Sequence, residues 1–350
     1  MKNTRMIKRC LNGSCGRPKL PESMEMESSI PFSDGLKSVG SPYCMSSLND
    51  LSQQKSPSER WWKTPFRSAL KPWVWTRSFL VFTNLWVAIC FTLFAAASLI
   101  CLRIQPHLLD LYNGCLIFFS VWLVYLLDRL VDPPDASLPQ RRYFWRRHFH
   151  WQIAGLLTSA LGVLWSAAHL PMHGIIMWSP AGLLAVGYSL PATRWGFTGL
   201  RQIPYFKVFL IALVWTYASM AYVYIPEPLR TSVGEGLKLG CIRFFWLLAI
   251  TLPFDMRDIR IDARRGIRTL PQKIGLRNSW WLSIGCAWVS LLGTLYWFGH
   301  HPALAGWLAS YLWLFAALWA WRKHRSEAYY AFVLDGSVGI QALLLMFSMP

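Results

Sequence analysis

Apolar stretches about as long as a bilayer is thick recur along most of this chain of 350 residues. An α-helix needs roughly 20 apolar residues to cross the hydrocarbon core, where every backbone polar group must find its hydrogen bond within the segment. The sequence therefore predicts an all-α, polytopic membrane protein built as a bundle of nine transmembrane helices. The predicted spans are 79–101, 107–127, 150–169, 172–190, 205–225, 237–254, 279–298, 302–321 and 328–349.

The composition agrees with a membrane protein rather than a soluble one. Hydrophobic residues make up 54% of the chain and charged residues 15%, whereas soluble domains carry about 25% charged residues. The net charge of +18 has a different explanation in nucleic-acid-binding proteins, which gather basic residues on one soluble surface. Here the basic residues lie between apolar stretches, so we expect a lipid bilayer and no nucleic acid as partner.

The distribution of basic residues between the loops predicts the orientation. The loops after the second, fourth, sixth and eighth spans hold most of the arginines and lysines, and the alternate loops hold few. Basic loops remain on the cytoplasmic side of a membrane. We therefore expect the N-terminus in the cytoplasm, the C-terminus outside, and a location in a bacterial cytoplasmic membrane.

The N-terminal part of the chain differs from the rest. Residues 1–72 are rich in Ser, Pro, Lys and Met and show no helical or strand periodicity. A segment that cannot bury enough apolar surface stays disordered. The sequence thus predicts a disordered polar tail over 1–72 and a membrane domain over 73–350.

Five aspartates form two clusters at the ends of apolar spans. Asp128 and Asp132 are spaced i, i+4, and Asp255, Asp258 and Asp262 are spaced i, i+3, i+7. Each set falls on one face of a helix, the second within an arc of about 60°. Carboxylates at a membrane border are costly unless positive charge meets them, and Mg²⁺ is commonly held by carboxylates together with substrate phosphates. The two clusters predict a Mg²⁺ site that binds a diphosphate.

An ordinary structural role for these carboxylates is the alternative. Several arginines adjoin them in the sequence, and each aspartate could pair with one at a hydrated helix end. The occurrence of two equivalent clusters in one chain favours a shared cation. The neighbouring arginines are Arg129, Arg257, Arg260, Arg264 and Arg265.

Residues 254–275, FDMRDIRIDARRGIRTLPQKIG, closely resemble the second aspartate-rich motif of UbiA-type intramembrane prenyltransferases. That motif reads DxxDxxxD, followed by a basic pair, Gly, a basic residue and TLP. Residues 188–219 resemble the family's fourth loop and fifth helix, and the early segment NLWVAICFTLF from Asn84 agrees. The resemblance extends over about 75–350. It implies a nine-helix bundle whose central cavity opens to the cytoplasm.

The same resemblance implies an activity and a set of site residues. The activity is Mg²⁺-dependent transfer of a prenyl group from a prenyl diphosphate to an aromatic or lipophilic acceptor, through an allylic cation. The five aspartates would be metal ligands and catalytic residues. The expected substrate-binding residues are Tyr188, Arg194, Lys207, Arg129 and Arg268. An ordinary boundary charge, or for Tyr188 an interfacial aromatic, remains the alternative for each.

One departure from the family pattern keeps other functions open. The first motif of the family reads NDxxDxxxD, but Val124 and Tyr125 stand in its first two positions. Fewer oxygen ligands would reach the first metal ion. The alternatives are a related enzyme that cyclises the prenyl chain or transfers a phosphosugar, and a non-catalytic protein that retains the scaffold.

Overall fold

The computed structural model describes residues 76–131, 139–189, 200–226, 230–321 and 326–349. Within these ranges the chain is almost entirely helical and contains no strand. The predicted tail over 1–72 lies outside the described residues, as do Asp132 and Arg194.

Eleven helices follow one another in the described ranges. The first two are joined at a sharp bend, and the last contains a π-helical segment over Tyr330–Asp335. A short 3-10 turn, Leu200–Gln202, precedes the seventh. The helices are α1 Thr76–Phe82, α2 Leu85–Cys101, α3 Leu108–Val131, α4 Pro139–Arg147, α5 Phe149–Ala168, α6 Met172–Ser189, α7 Lys207–Tyr224, α8 Val233–Arg264, α9 Leu270–Phe298, α10 Leu304–Ala320 and α11 Glu327–Phe347.

The expected multi-pass, all-α membrane architecture is confirmed, whereas the number of nine spans is not. In the described residues six helices are long and apolar enough to cross a membrane, namely α3, α5, α7, α8, α9 and α11. The pair α1 and α2 adds a seventh if it counts as one span. Helix α10 is apolar but has 17 residues, and α6 is not among the six.

The first predicted span, 79–101, is broken rather than continuous. Helices α1 and α2 meet at an angle of 70°. Between them Asn84 has φ 60° and ψ 13°, the left-handed region that asparagine tolerates better than most residues. The hydrophobic pattern is the same on both sides of the bend, so apolar length alone did not reveal it.

The sixth predicted span, 237–254, is the central part of a longer helix. Helix α8 has 32 residues and continues through all three aspartates of the second cluster. The Ser232 side chain caps its start by accepting a hydrogen bond from the Glu235 amide. A span predicted from hydropathy ends where charged residues accumulate, here from Asp255 onwards, but a helix continues wherever its charged side chains reach partners or water.

A short basic helix occupies what the sequence predicts to be a loop. Helix α4 exposes Arg146 and Arg147 and buries Phe144 and Trp145. The Phe144 ring lies 5.2 Å from that of Phe82 on α1. This apolar contact stabilises a segment too polar to have been predicted as a helix.

Small polar residues on α9 allow it to pack closely on α8. The Ser283 hydroxyl donates to the Ala249 carbonyl at 2.5 Å, and the Ser290 hydroxyl donates to the Ile242 carbonyl at 2.8 Å. Small residues let membrane helices approach each other, and their hydroxyl groups add interhelical hydrogen bonds. Helix α5, in contrast, exposes the apolar side chains of Leu157, Leu161 and Leu164. Such a face is suited to contact with lipid.

A buried ion pair joins the start of α3 to the segment before α8. The Arg230 guanidinium donates to both carboxylate oxygens of Asp110, at 2.6 and 3.1 Å, and to the Gln105 carbonyl at 2.6 Å. The side chains of Arg230 and Asp110 are 8% and 4% exposed. This end of the bundle lies opposite the end at which α8 carries its aspartates.

Replacing Arg230 by methionine should lower the free energy of unfolding by about 3–5 kcal/mol, because it leaves the Asp110 carboxylate buried without a counter-charge. Thermal unfolding of the detergent-purified protein measures the loss. The double variant Arg230→Met/Asp110→Asn should lose less than the sum of the two single variants. Additive losses would contradict a stabilising pair.

Candidate functional site

A cavity of about 310 Å³ lies among α2, α3, α6, α7, α8 and α11. Asp128 from α3 and Asp255, Asp258 and Asp262 from α8 line this one cavity. Asp128 of the first cluster therefore meets the second cluster in space although the two are far apart in the sequence. The spacing of the three aspartates on α8 explains why they line the cavity together, because residues at i, i+3 and i+7 project from one face of a helix.

Lys207, the first residue of α7, bridges two of these carboxylates. Its Nζ atom lies 2.9 Å from Oδ1 of Asp255 and 2.8 Å from Oδ2 of Asp262. All three residues are buried, with exposed fractions of 7%, 3% and 1%. Two buried carboxylates repel each other unless a cation lies between them, so Lys207 holds the start of α7 against α8.

The remaining oxygen of Asp255 makes this site suitable for a further cation. Oδ2 of Asp255 is buried and has no hydrogen-bond partner among the described residues. A buried charged oxygen without a partner is costly, and a carboxylate oxygen is a suitable ligand for Mg²⁺. The described side chains do not form a preassembled group of three metal ligands. The donor set fits Mg²⁺ if substrate phosphates and water complete the coordination.

The other two aspartates have basic neighbours. The Arg257 guanidinium donates to Oδ1 of Asp258 at 2.7 Å and to Oδ2 at 2.9 Å. Arg201 lies 3.8 Å from Asp128 and stacks over the Tyr188 ring, with 5.7 Å between the guanidinium carbon and the ring centroid. Asp128 and Asp258 keep 23% and 24% of their side chains exposed. The carboxylates nearer water thus pair with arginines, and the deeper ones pair with a lysine.

The predicted substrate-binding residues do not all lie in the cavity. Tyr188, Arg129 and Lys207 line it, whereas Arg268 is exposed and is not among the lining residues. The Arg268 carbonyl instead accepts a hydrogen bond from the Tyr205 amide, which ties the segment after α8 to the segment before α7.

Several lining residues were not among the sequence-based candidates. Arg201, Arg257 and Arg265 line the cavity. Their sequence positions indicate only a loop charge or a neighbour of an aspartate, because proximity to the cavity depends on the fold. Asn84 also lines the cavity, as does Asp335 from the last helix. Asp335 did carry a usable signal, because a carboxylate inside an apolar span is rarely without a function.

Aromatic and apolar side chains form the rest of the wall. Val124 and Tyr125, which precede Asp128 on α3, both line the cavity. The Tyr125 ring lies 6.3 Å from that of Trp215, which also lines it. These positions thus present apolar and aromatic surface to the cavity.

Replacing Lys207 by methionine should lower the free energy of unfolding by about 3–5 kcal/mol, since it leaves Asp255 and Asp262 buried without their cation. Millimolar Mg²⁺ should raise the unfolding temperature of this variant more than that of the unchanged protein. The control is Lys238→Met, which breaks an exposed pair with Glu235 and should cost at most about 1 kcal/mol. A Lys207→Met protein of unchanged stability and without a Mg²⁺ response would contradict the bridging role.

Comparison of the sequence with protein-family models and with curated proteins gives no match. The structure, in contrast, is similar to solved membrane proteins. A UbiA homologue from Aeropyrum pernix K1 in its apo form aligns with a TM-score of 0.58 and 12% identity over 74% of this chain and 98% of that one.

Two further neighbours are structures of a UbiA homologue from Archaeoglobus fulgidus. The one bound to GPP and Mg²⁺ has a TM-score of 0.57 and 16% identity over 77% of this chain and 98% of that one. The one bound to DMAPP and Mg²⁺ has a TM-score of 0.54 and 16% identity over 77% and 97%. This chain therefore has the fold of the UbiA homologues, which confirms the all-helical membrane fold implied by the sequence resemblance but not its count of nine helices.

Proposed function

We propose that this protein is a Mg²⁺-dependent intramembrane prenyltransferase, which moves a prenyl group from a prenyl diphosphate to a lipophilic or aromatic acceptor. The observation that carries the proposal is the cavity in which Asp128 of α3 meets the three aspartates of α8. Neighbours of the same fold support the donor class, because a UbiA homologue was solved with GPP or DMAPP and Mg²⁺.

Magnesium is the cofactor for which the carboxylates provide ligands. Asp128, Asp255, Asp258 and Asp262 would hold it, with Asp132 as a fifth ligand proposed from the sequence. Bound Mg²⁺ would neutralise negative charge that develops on the leaving diphosphate.

Basic side chains at the same end of the cavity complete the anion site. Lys207 and Arg201 are close to the carboxylates, and Arg129 lines the cavity. Preorganised cations of this kind stabilise the transition state of diphosphate departure more than the ground state. We assign the same role to Arg194 from its sequence position, and we assign Tyr188 to substrate contact. Arg268 is a weaker candidate because its side chain lies outside the lining.

The apolar wall would protect the reacting carbon. An allylic cation is destroyed by water, so its site must exclude solvent. The faces of Tyr125 and Trp215 border the cavity, and aromatic faces attract cations. The replacement of the polar pair by Val124 and Tyr125 thus reduces the number of metal ligands while it adds surface that suits a carbocation.

From the predicted orientation we infer that this chemistry takes place at the inner membrane surface. The basic loops predict that the aspartate-bearing end of α8 faces the cytoplasm, where Mg²⁺ and diphosphates are dissolved. We propose a cytoplasmic N-terminus and a bacterial cytoplasmic membrane on the same basis.

The replacement of Asp258 by alanine should lower turnover by a factor of 100 or more, since removal of one preorganised charge-stabilising group costs roughly 10²–10³ in rate. The assay uses the full-length protein in liposomes, Mg²⁺, radiolabelled geranyl, farnesyl or geranylgeranyl diphosphate, and a panel of phenolic acceptors. Glu235→Ala serves as a control, because Glu235 is an exposed carboxylate outside the cavity and should leave turnover unchanged.

Two outcomes would overturn the proposal. Full activity of the Asp258→Ala protein would remove the α8 carboxylates from the reaction. Absence of product, together with absence of Mg²⁺-dependent binding of any prenyl diphosphate, would exclude a prenyltransferase. A cyclised product formed without an acceptor would instead identify a related enzyme that ionises the same donor.

A further inference from the structure

The wall formed by α11 contains a carboxylate that the two acidic clusters do not include. Asp335 is the last residue of the π-helical segment Tyr330–Asp335, and it lines the cavity. Single π-helical turns inside α-helices are frequent at functional sites. A carboxylate within an apolar span is costly and usually serves a function.

Asn84, at the bend between α1 and α2, presents a complementary group to the same cavity. Its side chain is buried, with 6% of the residue exposed, and its Nδ2 atom has no hydrogen-bond partner in the described part of the chain. A buried donor without a partner costs about 1–3 kcal/mol. The bend that places it there also requires the left-handed backbone of Asn84. A ligand that accepts a hydrogen bond from the Asn84 amide would offset the cost of the unpaired donor and give the left-handed bend a function.

Direct contacts hold the start of α2 beside the π-helical segment. The Trp86 indole nitrogen donates to the Ala331 carbonyl at 2.9 Å, and its ring lies 5.1 Å from that of Phe332. Tyr125 and Asp128 line the same cavity as Asp335. Asn84 and Asp335 thus belong to the same cavity as the aspartate clusters, but they come from elements that carry no member of those clusters.

We propose that Asn84 and Asp335 bind a hydroxyl group of the acceptor substrate, and this inference rests on the proposed prenyltransferase function. The Asp335 carboxylate accepts the hydrogen bond of the hydroxyl, and the Asn84 amide donates to the hydroxyl oxygen. A metal ion would not use the amide N–H group, and an ammonium group would offer it no acceptor. A phenol or alcohol on a lipophilic body satisfies both side chains.

The test measures binding to the full-length protein in nanodiscs. The probes are tritiated 4-heptylphenol, its methyl ether, which cannot donate a hydrogen bond, and geranyl thiolodiphosphate, which resists ionisation. The variants are Asp335→Asn and Asn84→Gly, since glycine retains the left-handed backbone without the amide. Glu235→Gln makes the same carboxylate-to-amide change outside the cavity. Empty nanodiscs correct for partition into lipid.

The protein should bind the phenol saturably and in preference to its ether. Asp335→Asn should lose roughly 10- to 100-fold in phenol affinity, the range for a hydrogen bond to a charged group, and should lose the preference. Asn84→Gly should lose roughly 2- to 10-fold for the phenol and the ether alike, because the oxygen of either probe accepts from the amide. Binding of geranyl thiolodiphosphate with Mg²⁺ should stay within about twofold, as should every property of Glu235→Gln. Unchanged binding of the thiolodiphosphate also shows that the variants are folded.

Three results would overturn the inference. The first is an unchanged phenol preference in Asp335→Asn. The second is a loss of thiolodiphosphate binding in that variant, which would place Asp335 at the diphosphate site. The third is the absence of saturable phenol binding to the unchanged protein. Failure of the proposed function is separate, because it appears as absence of Mg²⁺-dependent thiolodiphosphate binding while the phenol preference and its loss in Asp335→Asn persist.

Discussion

Repulsion between the carboxylates on one face of α8 is the constraint on which the site depends. Asp255 and Asp262 project into the same buried region, so a cation must lie between them. Lys207 supplies it at 2.9 and 2.8 Å and thereby determines where α7 begins relative to α8. The position of α7 in turn brings Trp215 to the cavity wall beside Tyr125. Electrostatics at one end of the bundle thus determine the shape of the apolar space further inside.

The charged groups at the two ends of the bundle differ in their exposure to solvent. Near water, Asp128 and Asp258 remain about one quarter exposed and pair with arginines. At the opposite end, Asp110 and Arg230 form a pair that is almost fully buried. Between the two ends, helices pack through small residues and hydroxyl groups, as Ser290 shows on α9.

The sequence predicted the features that depend on local pattern. Length and hydropathy identified the six helices that are long and apolar enough to cross a membrane, together with three further spans that the structure does not establish. The spacing of Asp255, Asp258 and Asp262 identified a common helix face. It missed the break at Asn84 and the continuation of α8, because hydropathy does not report backbone dihedral angles or the partners of charged side chains. Lys207 was predicted to contact the diphosphate, but its pairing with two aspartates depends on how α7 meets α8. The position of Asp335 in the cavity wall depends on how α11 packs against the other helices, which the sequence pattern does not report.

The length of α8 has a consequence for how ions reach the site. Its 32 residues span about 48 Å at 1.5 Å per residue, well beyond a hydrocarbon core of about 30 Å. The aspartates lie on the last three turns, so the extra length carries Asp258 towards the aqueous phase while Asp255 and Asp262 stay buried against Lys207. An ion that arrives from bulk solution would therefore meet the partly exposed carboxylate before the buried pair. Dehydration of the ion would then proceed in steps along one helix face.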